Sequence, residues 1–384
     1  MFAHSRWLRG RVTAAGGFLI ALCLMCNSSR ADDDGAFSLE SLGAIEEPEL
    51  TPELTKQAPE RDVWERLTDN LRVAVDLSAR GIVGTDNGRV SSIAFAGIDV
   101  YKVFSLPEGD WGTLIAQLYL TRIDNFPGPP APFFEGGDDT EAVFRIFNFN
   151  YTGWTSRQYV NFRVGHFEIP FGLEQTLNTN GTLRQYTHGF NIGVKADWGA
   201  SVNGVTQSLE YEIGLTRGTG NEWSSRGDPY CVAARVGTST DENWFAGISL
   251  MQGEILNPPS AARAGGASTI VRRWRVGLDG MVQTGPFGLL GEASFGEDFQ
   301  QEVVNLLIEI HFQNNREDLL VYVQMRSYHQ HLATGWEDTT SATAGVRYSP
   351  DNHWAFSFQF TQNLSTFSNS ERNGSVAIQV RYRF

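Results

Sequence analysis

From Leu71 to the last residue, Phe384, the chain repeats one period: apolar side chains recur at every second position, run after run, between polar or glycine-bearing breaks. Successive side chains of a strand point to opposite faces, so each run has one face suited to an apolar medium and one suited to water. Val73, Val75, Leu77 and Ala79 alternate with Arg72, Ala74, Asp76 and Ser78; Trp354, Phe356, Phe358 and Phe360 alternate with Ala355, Ser357, Gln359 and Thr361. The closing run does the same, with Val376, Ile378, Val380, Tyr382 and Phe384 on one side and Ala377, Gln379, Arg381 and Arg383 on the other. Taken alone, that run also fits an edge strand of a soluble sandwich.

Sixteen such intervals follow: 71–82, 90–104, 111–122, 141–152, 158–168, 190–199, 205–216, 230–238, 242–252, 268–281, 286–296, 301–313, 318–328, 339–349, 352–363 and 374–384. Every second connection is short: Ser105–Asp110, Gly153–Arg157, Ala200–Gly204, Ser239–Asp241, Val282–Gly285, Asn314–Glu317 and Pro350–Asp351. Most intervening ones are longer: Asp124–Thr140, Ile169–Gly189, Arg217–Pro229, Gly253–Ala267, His329–Asp338 and Gln362–Asn373. A sandwich has no reason to sort its connections by parity, whereas a transmembrane barrel has short turns at one end and long loops at the other. No segment reaches the ~20 apolar residues that a membrane-crossing helix needs, so a membrane crossing here must be made by strands closed on themselves. The expected fold is therefore all-β, a transmembrane antiparallel β-barrel of about sixteen strands over residues 70–384.

Arg6, Arg9 and Arg11, an apolar run from Ala14 to Met25, and Ser29-Arg30-Ala31 form the three-part plan of a secretory signal peptide, residues 1–31, cleaved near Ala31. Cys23 and Cys26 would leave with it, so Cys231 has no partner for a disulfide. Residues 32–69 are acidic, carry Pro48, Pro52 and Pro59, and are expected to form a flexible periplasmic lead-in. The chain's net charge of -14 becomes more negative once the leader is gone, which disfavours nucleic acid as a partner.

If the apolar set of each strand faces lipid, the other set lines a lumen. That rule puts Arg72, Arg80, Arg163, Lys195, Arg235, Arg273, Arg275, Arg326, Arg347, Arg381 and Arg383 inside, with Asp76, Asp99, Asp197, Glu210, Glu212, Asp279, Glu292 and Glu309. Such a wall can be stiffened by pairs across neighbouring strands, or it can keep a basic stripe that attracts anions. Pro170 cannot sit inside a ladder, so the chain leaves the wall there, and a loop of some twenty residues is long enough to cross part of the lumen. It could present His166, Glu168, Glu174, Arg184 and His188.

The stretch Val164-Gly-His-Phe-Glu-Ile-Pro-Phe-Gly-Leu-Glu174 resembles the signature of the phosphate-selective porin O and P family. That resemblance implies a trimeric, water-filled outer-membrane channel with loops folded inward, passing small hydrophilic solutes with a mild preference for anions, phosphate among them. The terminal strand ending on Phe384 likewise resembles the signal read by the barrel assembly machinery, and outer-membrane lipid would surround the wall. The sequence departs from a phosphate channel in one respect: it has only Lys56, Lys102 and Lys195, so a lysine ladder is missing.

No nucleophile elbow, zinc-protease helix, phosphate loop or paired Cys-x-x-Cys is present, so no catalytic residue, cofactor or metal ligand is assigned and no enzyme is expected. His329-Gln-His331 falls in an expected loop, and His311 falls on the lumen side with Glu309 and Asn305, the wrong face for lipid chemistry. The alternative to a porin is an outer-membrane enzyme or adhesin that uses the barrel as a scaffold for its long loops.

Overall fold

The computed structural model describes residues 68–86, 88–106, 109–124, 140–155, 158–177, 179, 181–187, 189–221, 228–240, 243–256, 270–366 and 374–384. The expected signal peptide, the lead-in up to residue 67, His188 and the proline-rich Gly128-Pro-Pro-Ala-Pro132 lie outside them. The strands are β1 Leu71–Gly84, β2 Val90–Leu106, β3 Gly109–Asp124, β4 Thr140–Tyr151, β5 Asn161–Glu168, β6 Ala196–Val205, β7 Leu209–Thr216 and β8 Tyr230–Thr238. They continue as β9 Trp244–Leu256, β10 Ile270–Thr284, β11 Phe287–Asp298, β12 Gln301–Gln313, β13 Leu319–Leu332, β14 Gly335–Tyr348, β15 Trp354–Ser365 and β16 Gly374–Arg383. Each pairs antiparallel with its sequence neighbours, and β1 pairs with β16, so the sheet closes. Closure removes the two edges that an open sheet would leave unpaired in lipid.

The seam is in register from Asp76 opposite Arg383 to Gly84 opposite Ser375. Phe384 adds one further pair: its amide donates to the Val75 carbonyl at 3.0 Å, and the Val75 amide donates to the Phe384 carbonyl at 2.7 Å. The two faces separate as the period-two pattern requires. Val73, Leu77, Leu118, Leu120, Ile248, Leu250, Ile310, Val323, Phe356, Phe358 and Ile378 are exposed on the outside. Asp76, Asp99, Glu212, Arg235, Arg275, Asp279, Glu292 and Glu309 are buried inside. At the turn end Trp354, Tyr382 and Phe384 contact one another on the outside, with Trp354 and Tyr382 centroids 4.7 Å apart, a girdle of the kind that sits at a membrane interface.

Two sequence expectations shift. Strand β6 begins at Ala196 rather than at residue 190 and runs to Val205, so Ala200–Gly204 is strand, not turn. Residues 190–195 instead belong to the preceding loop, because Asn191 turns into the wall to bond Glu292 and Ser294. The expected long loop His329–Asp338 is a tight hairpin, since β13 runs to Leu332 and β14 starts at Gly335, whose φ of 119° only glycine adopts readily. At the loop end, then, the β13–β14 connection is as short as a periplasmic-type turn.

Candidate functional site: the lumen and its inward loop

The chain leaves β5 after Glu168 and re-enters the wall at Ala196, and the Ile169 amide donates to the Lys195 carbonyl at 2.9 Å to close the base of this loop. Two short helices, α1 Gly172–Thr176 and α2 Gly189–Ile192, lie within it. Its first anchor is apolar. Phe171 and Ile169 are buried with Met251, Ile255, Cys231 and Ala233, and Leu173 with Tyr186, Phe245 and Leu290. The second is a carboxylate: Glu292 Oε2 accepts the Leu173 amide at 2.9 Å, while Oε1 accepts the Asn191 and Asn305 amides at 3.3 Å each. Three donors on one buried carboxylate reduce the cost of desolvating its charge.

Gly172 and Gly277 make this docking geometrically feasible. Gly172 has φ 62°, and a Cβ there would sit 2.1 Å from Glu292 Oε2; a Cβ on Gly277 would sit 2.7 Å from the Phe171 ring. The stretch that carries the family resemblance is therefore the segment that fastens the loop to β9, β10 and β11. Beyond α1 the loop crosses to the seam. The Gly181 carbonyl accepts from Gln379 Nε2 at 3.2 Å and the Thr182 carbonyl from Arg80 Nη2 at 3.1 Å. Arg184 pairs with Glu309 at 2.8 Å, and Gln185 accepts from Gln324 through its carbonyl and from Arg326 through its side chain. Tyr186 is buried beneath the Arg184 guanidinium, 5.2 Å from its ring centroid, and burial pushes its phenol pKa up.

Two recesses flank this strap. One, of about 410 Å³, is lined by Gln117, Arg145, Asn148, Arg163, Glu168, Gln175 and Glu212. The other, of about 430 Å³, is lined by Arg184, Tyr186, Met281, Gln283, His311 and the turn residues Asn314 and Glu317. Leu177, just after α1, borders both recesses.

Most wall arginines are neutralised. Arg163 binds Glu212 at 2.8 Å, Arg275 binds Asp298 at 2.8 Å, and Arg273 approaches the same carboxylate at 3.6 Å. Arg235 reaches over Gly247, where a Cβ would lie 2.3 Å from its Nη2, to hold Asp279 with two nitrogens. At the seam, Arg381 binds Asp76 and Arg383 binds Asp99 at 2.8 Å, with the Tyr119 hydroxyl bonded to both carboxylates. Lys195 lies in the loop, not on a strand, and its amine pairs with Glu174 at 2.6 Å, tying the returning limb to α1.

Three inward guanidinium groups have only neutral acceptors among the described residues. Arg80 donates to the Thr182 carbonyl and Gln379, Arg326 to Gln185, and Arg347 to Ser349 Oγ at 3.3 Å. One register row runs Arg80, Gln379, Ser357, Arg347 across β1, β16, β15 and β14, and Arg326 reaches the loop separately, from β13 to Gln185. Arg72, on the same alternate series as Arg80, is exposed at the turn end of β1.

His166, expected to be presented to the lumen, instead keeps the outward alternate series of Phe162 and Val164, and Arg145 breaks the alternation. His166 does not face the lumen: it stands opposite Phe147 and Trp198 on the outward side and is fully buried, its ring centroid 5.3 Å from that of Trp198. Arg145 goes the other way. A register shift in β4 between the partners of Gln117 and Leu118 inserts one extra residue, and Arg145 turns inward to Gln117 Oε1 at 3.3 Å. Its neighbour Glu168 lies 3.8 Å away. A bulge of one residue reverses the face of everything beyond it, and the apolar pattern of β4 does not reveal it.

No family model and no curated protein matches the sequence. The fold, in contrast, has clear likenesses among solved structures. The chain is similar to OmpF of Salmonella typhi (13% identity, 82% of this chain and 97% of that one, TM-score 0.59). It is also similar to the trimer form of OmpT, an outer membrane protein of Vibrio cholerae (12%, 82% and 99%, 0.56). At identities this low the likeness is one of fold, and it extends to an anion-selective porin from Comamonas acidovorans (12%, 82% and 99%, 0.57).

Proposed function

We propose that the chain is an outer-membrane porin, a water-filled channel for passive diffusion of small hydrophilic solutes with a mild preference for anions, phosphate among them. A closed barrel of sixteen strands leaves an aqueous lumen, and the polar inner wall crossed by an inward loop is the arrangement that turns such a lumen into a size filter. The observation that carries the anion preference is the set Arg80, Arg326 and Arg347, whose guanidinium groups hydrogen-bond only neutral acceptors among the described residues. Arginine binds phosphate through two parallel hydrogen bonds, and three such groups on one wall suit an oxyanion. Export by a leader ending near Ala31, assembly through the β16 terminus and a homotrimeric state complete the reading; the Vibrio cholerae relative of the same fold has a trimer form.

Planar bilayers test it. Purified folded protein gives stable conductance steps, and silent bilayers would rule the porin out. The reversal potential in a salt gradient, measured with chloride and then with phosphate, separates a general anion preference from a phosphate preference. A potential of the sign set by cation flow removes both.

A further inference from the structure

On the outward face of the β13–β14 hairpin, four residues form an arrangement that a diffusion channel does not need. Ser327 Oγ lies 2.6 Å from His329 Nε2. The two residues are two positions apart on β13 and so share a face. Across the hairpin, Ser327 is in register with Thr340 and His329 with Asp338. Thr340 Oγ1 is 2.7 Å from Ser327 Oγ and 3.0 Å from Asp338 Oδ2, which also accepts from Ser365.

The face is the lipid-directed one. Val321, Val323 and Met325, the preceding members of the same alternate series, are all exposed large apolar residues. Ser327 lies eight residues from the turn-end residue Leu319, roughly 26 Å along a strand or about 20 Å along the barrel axis at a tilt of about 40°. An apolar band is about 25 Å tall, so the cluster sits where the band gives way to the far interface. The ester linkages of glycerophospholipids lie at that level.

We propose that Ser327, His329 and Asp338 form a serine esterase site that hydrolyses acyl esters of membrane glycerophospholipids. A hydroxyl becomes a nucleophile when an adjacent base takes its proton, and the base needs a third group to fix its orientation; this constellation recurs on unrelated folds and is recognised by geometry. Ser327 Oγ attacks the ester carbonyl carbon as His329 Nε2 accepts its proton. The carbonyl–alkoxy bond then breaks, and the lysolipid alkoxide leaves with that proton. Water, deprotonated by the same imidazole, attacks the acyl-serine and releases the fatty acid, restoring the Ser327 hydroxyl. Thr340 Oγ1, beside the nucleophile, can turn from Asp338 to donate to the oxyanion. Asp338 is a positioning residue that stands across the hairpin from His329 and holds the Thr340 and Ser365 hydroxyls.

The test uses full-length folded protein in mixed micelles of detergent and diacyl phosphatidylethanolamine, with fatty-acid release as the readout. A fluorophosphonate probe, with its adduct located by mass spectrometry, provides the second measurement. The proposal expects an adduct on Ser327 and release that falls at least a thousand-fold, to the detergent blank, in Ser327→Ala and in His329→Ala. Asp338→Ala lowers release, and Asp338→Asn recovers part of it. Heat-modifiable gel mobility and bilayer conductance stay unchanged in Ser327→Ala, so failure of this inference and failure of the porin reading are distinguishable. Folded wild-type protein that takes no adduct at Ser327, or that releases no more fatty acid than Ser327→Ala, overturns the proposal.

Discussion

Neutralising the unmatched arginines gives the sharpest test of the lumen's electrostatics. Arg80→Gln, Arg326→Gln and Arg347→Gln keep a hydrogen-bond donor for the Thr182 carbonyl, Gln185 and Ser349 while removing three charges. A monovalent anion about 6 Å from one guanidinium in a water-like medium gains ~0.7 kcal/mol. Screening at 0.1 M salt, with a Debye length of about 10 Å, leaves roughly 0.4 kcal/mol of that. Three such contributions come to about 1.2 kcal/mol lost by the anion and the same regained by a cation, and 1.4 kcal/mol is tenfold, so the triple variant lowers anion permeability about sevenfold and the anion-to-cation permeability ratio roughly fiftyfold. The matched control is Arg235→Gln with Asp279→Asn, which removes a close ion pair and no net charge; it leaves the ratio within about twofold. Both ratios come from the reversal potential under a tenfold potassium chloride gradient. Equal shifts in the two variants, or none in the triple, would refute the claim that unpaired and not total arginine sets the selectivity.

The other expectations concern the strap, the seam and one turn. Phe171→Ala removes a ring buried beside Met251 and Ile255, costs about 3–5 kcal/mol of loop docking, and raises single-channel conductance and its noise. Gly172→Ala does the same through the 2.1 Å approach to Glu292, visible as faster proteolysis between residues 172 and 195. Deleting Phe384 removes both hydrogen bonds to Val75 and lowers the fraction of protein with heat-modifiable mobility. Asp351, in the turn between β14 and β15, accepts the Trp354 and His353 amides, and these bonds hold its pKa below the usual carboxylate value. A depressed acid stabilises the folded state above its unfolded pKa and loses that effect as pH falls through the folded pKa. Asp351→Ala therefore lowers the urea midpoint at pH 7, and the difference from wild type narrows as the pH drops through the acid range.

The barrel could be read in the sequence because its governing signal is local and repeated. Two-residue alternation decides which face meets lipid, and sixteen repetitions leave little freedom for the closed sheet. Errors arose where a single residue outweighed the pattern. Ile192 and Val194 read as strand, but they are buried with Ile169 and Phe171 in the docked loop, because Asn191 finds Glu292 in the wall. Gly335 compressed a ten-residue interval into a hairpin by adopting a φ of 119°.

The lumen was legible in composition but not in charge balance. Alternation places Arg80 and Arg235 on the same face, yet Arg235 reaches across a glycine to Asp279 while Arg80, among the described residues, donates to a carbonyl and an amide. Pairing of this kind depends on strand stagger, which brings residues 44 positions apart together in the Arg235–Asp279 case, and no run of sequence encodes it locally. The same stagger explains the outward cluster. His329 and Asp338 bracket what reads as a loop, and only the tight β13–β14 hairpin sets them opposite each other with Ser327 opposite Thr340. Opposed charged and polar residues on a lipid-directed face carry a desolvation cost that a purely structural wall has no cause to bear, and apolar residues at those positions would pack against lipid at no such cost. The proposed channel accounts for the inside of this barrel. The outside of β13 calls for a second account, and the serine–histidine contact supplies a chemical one.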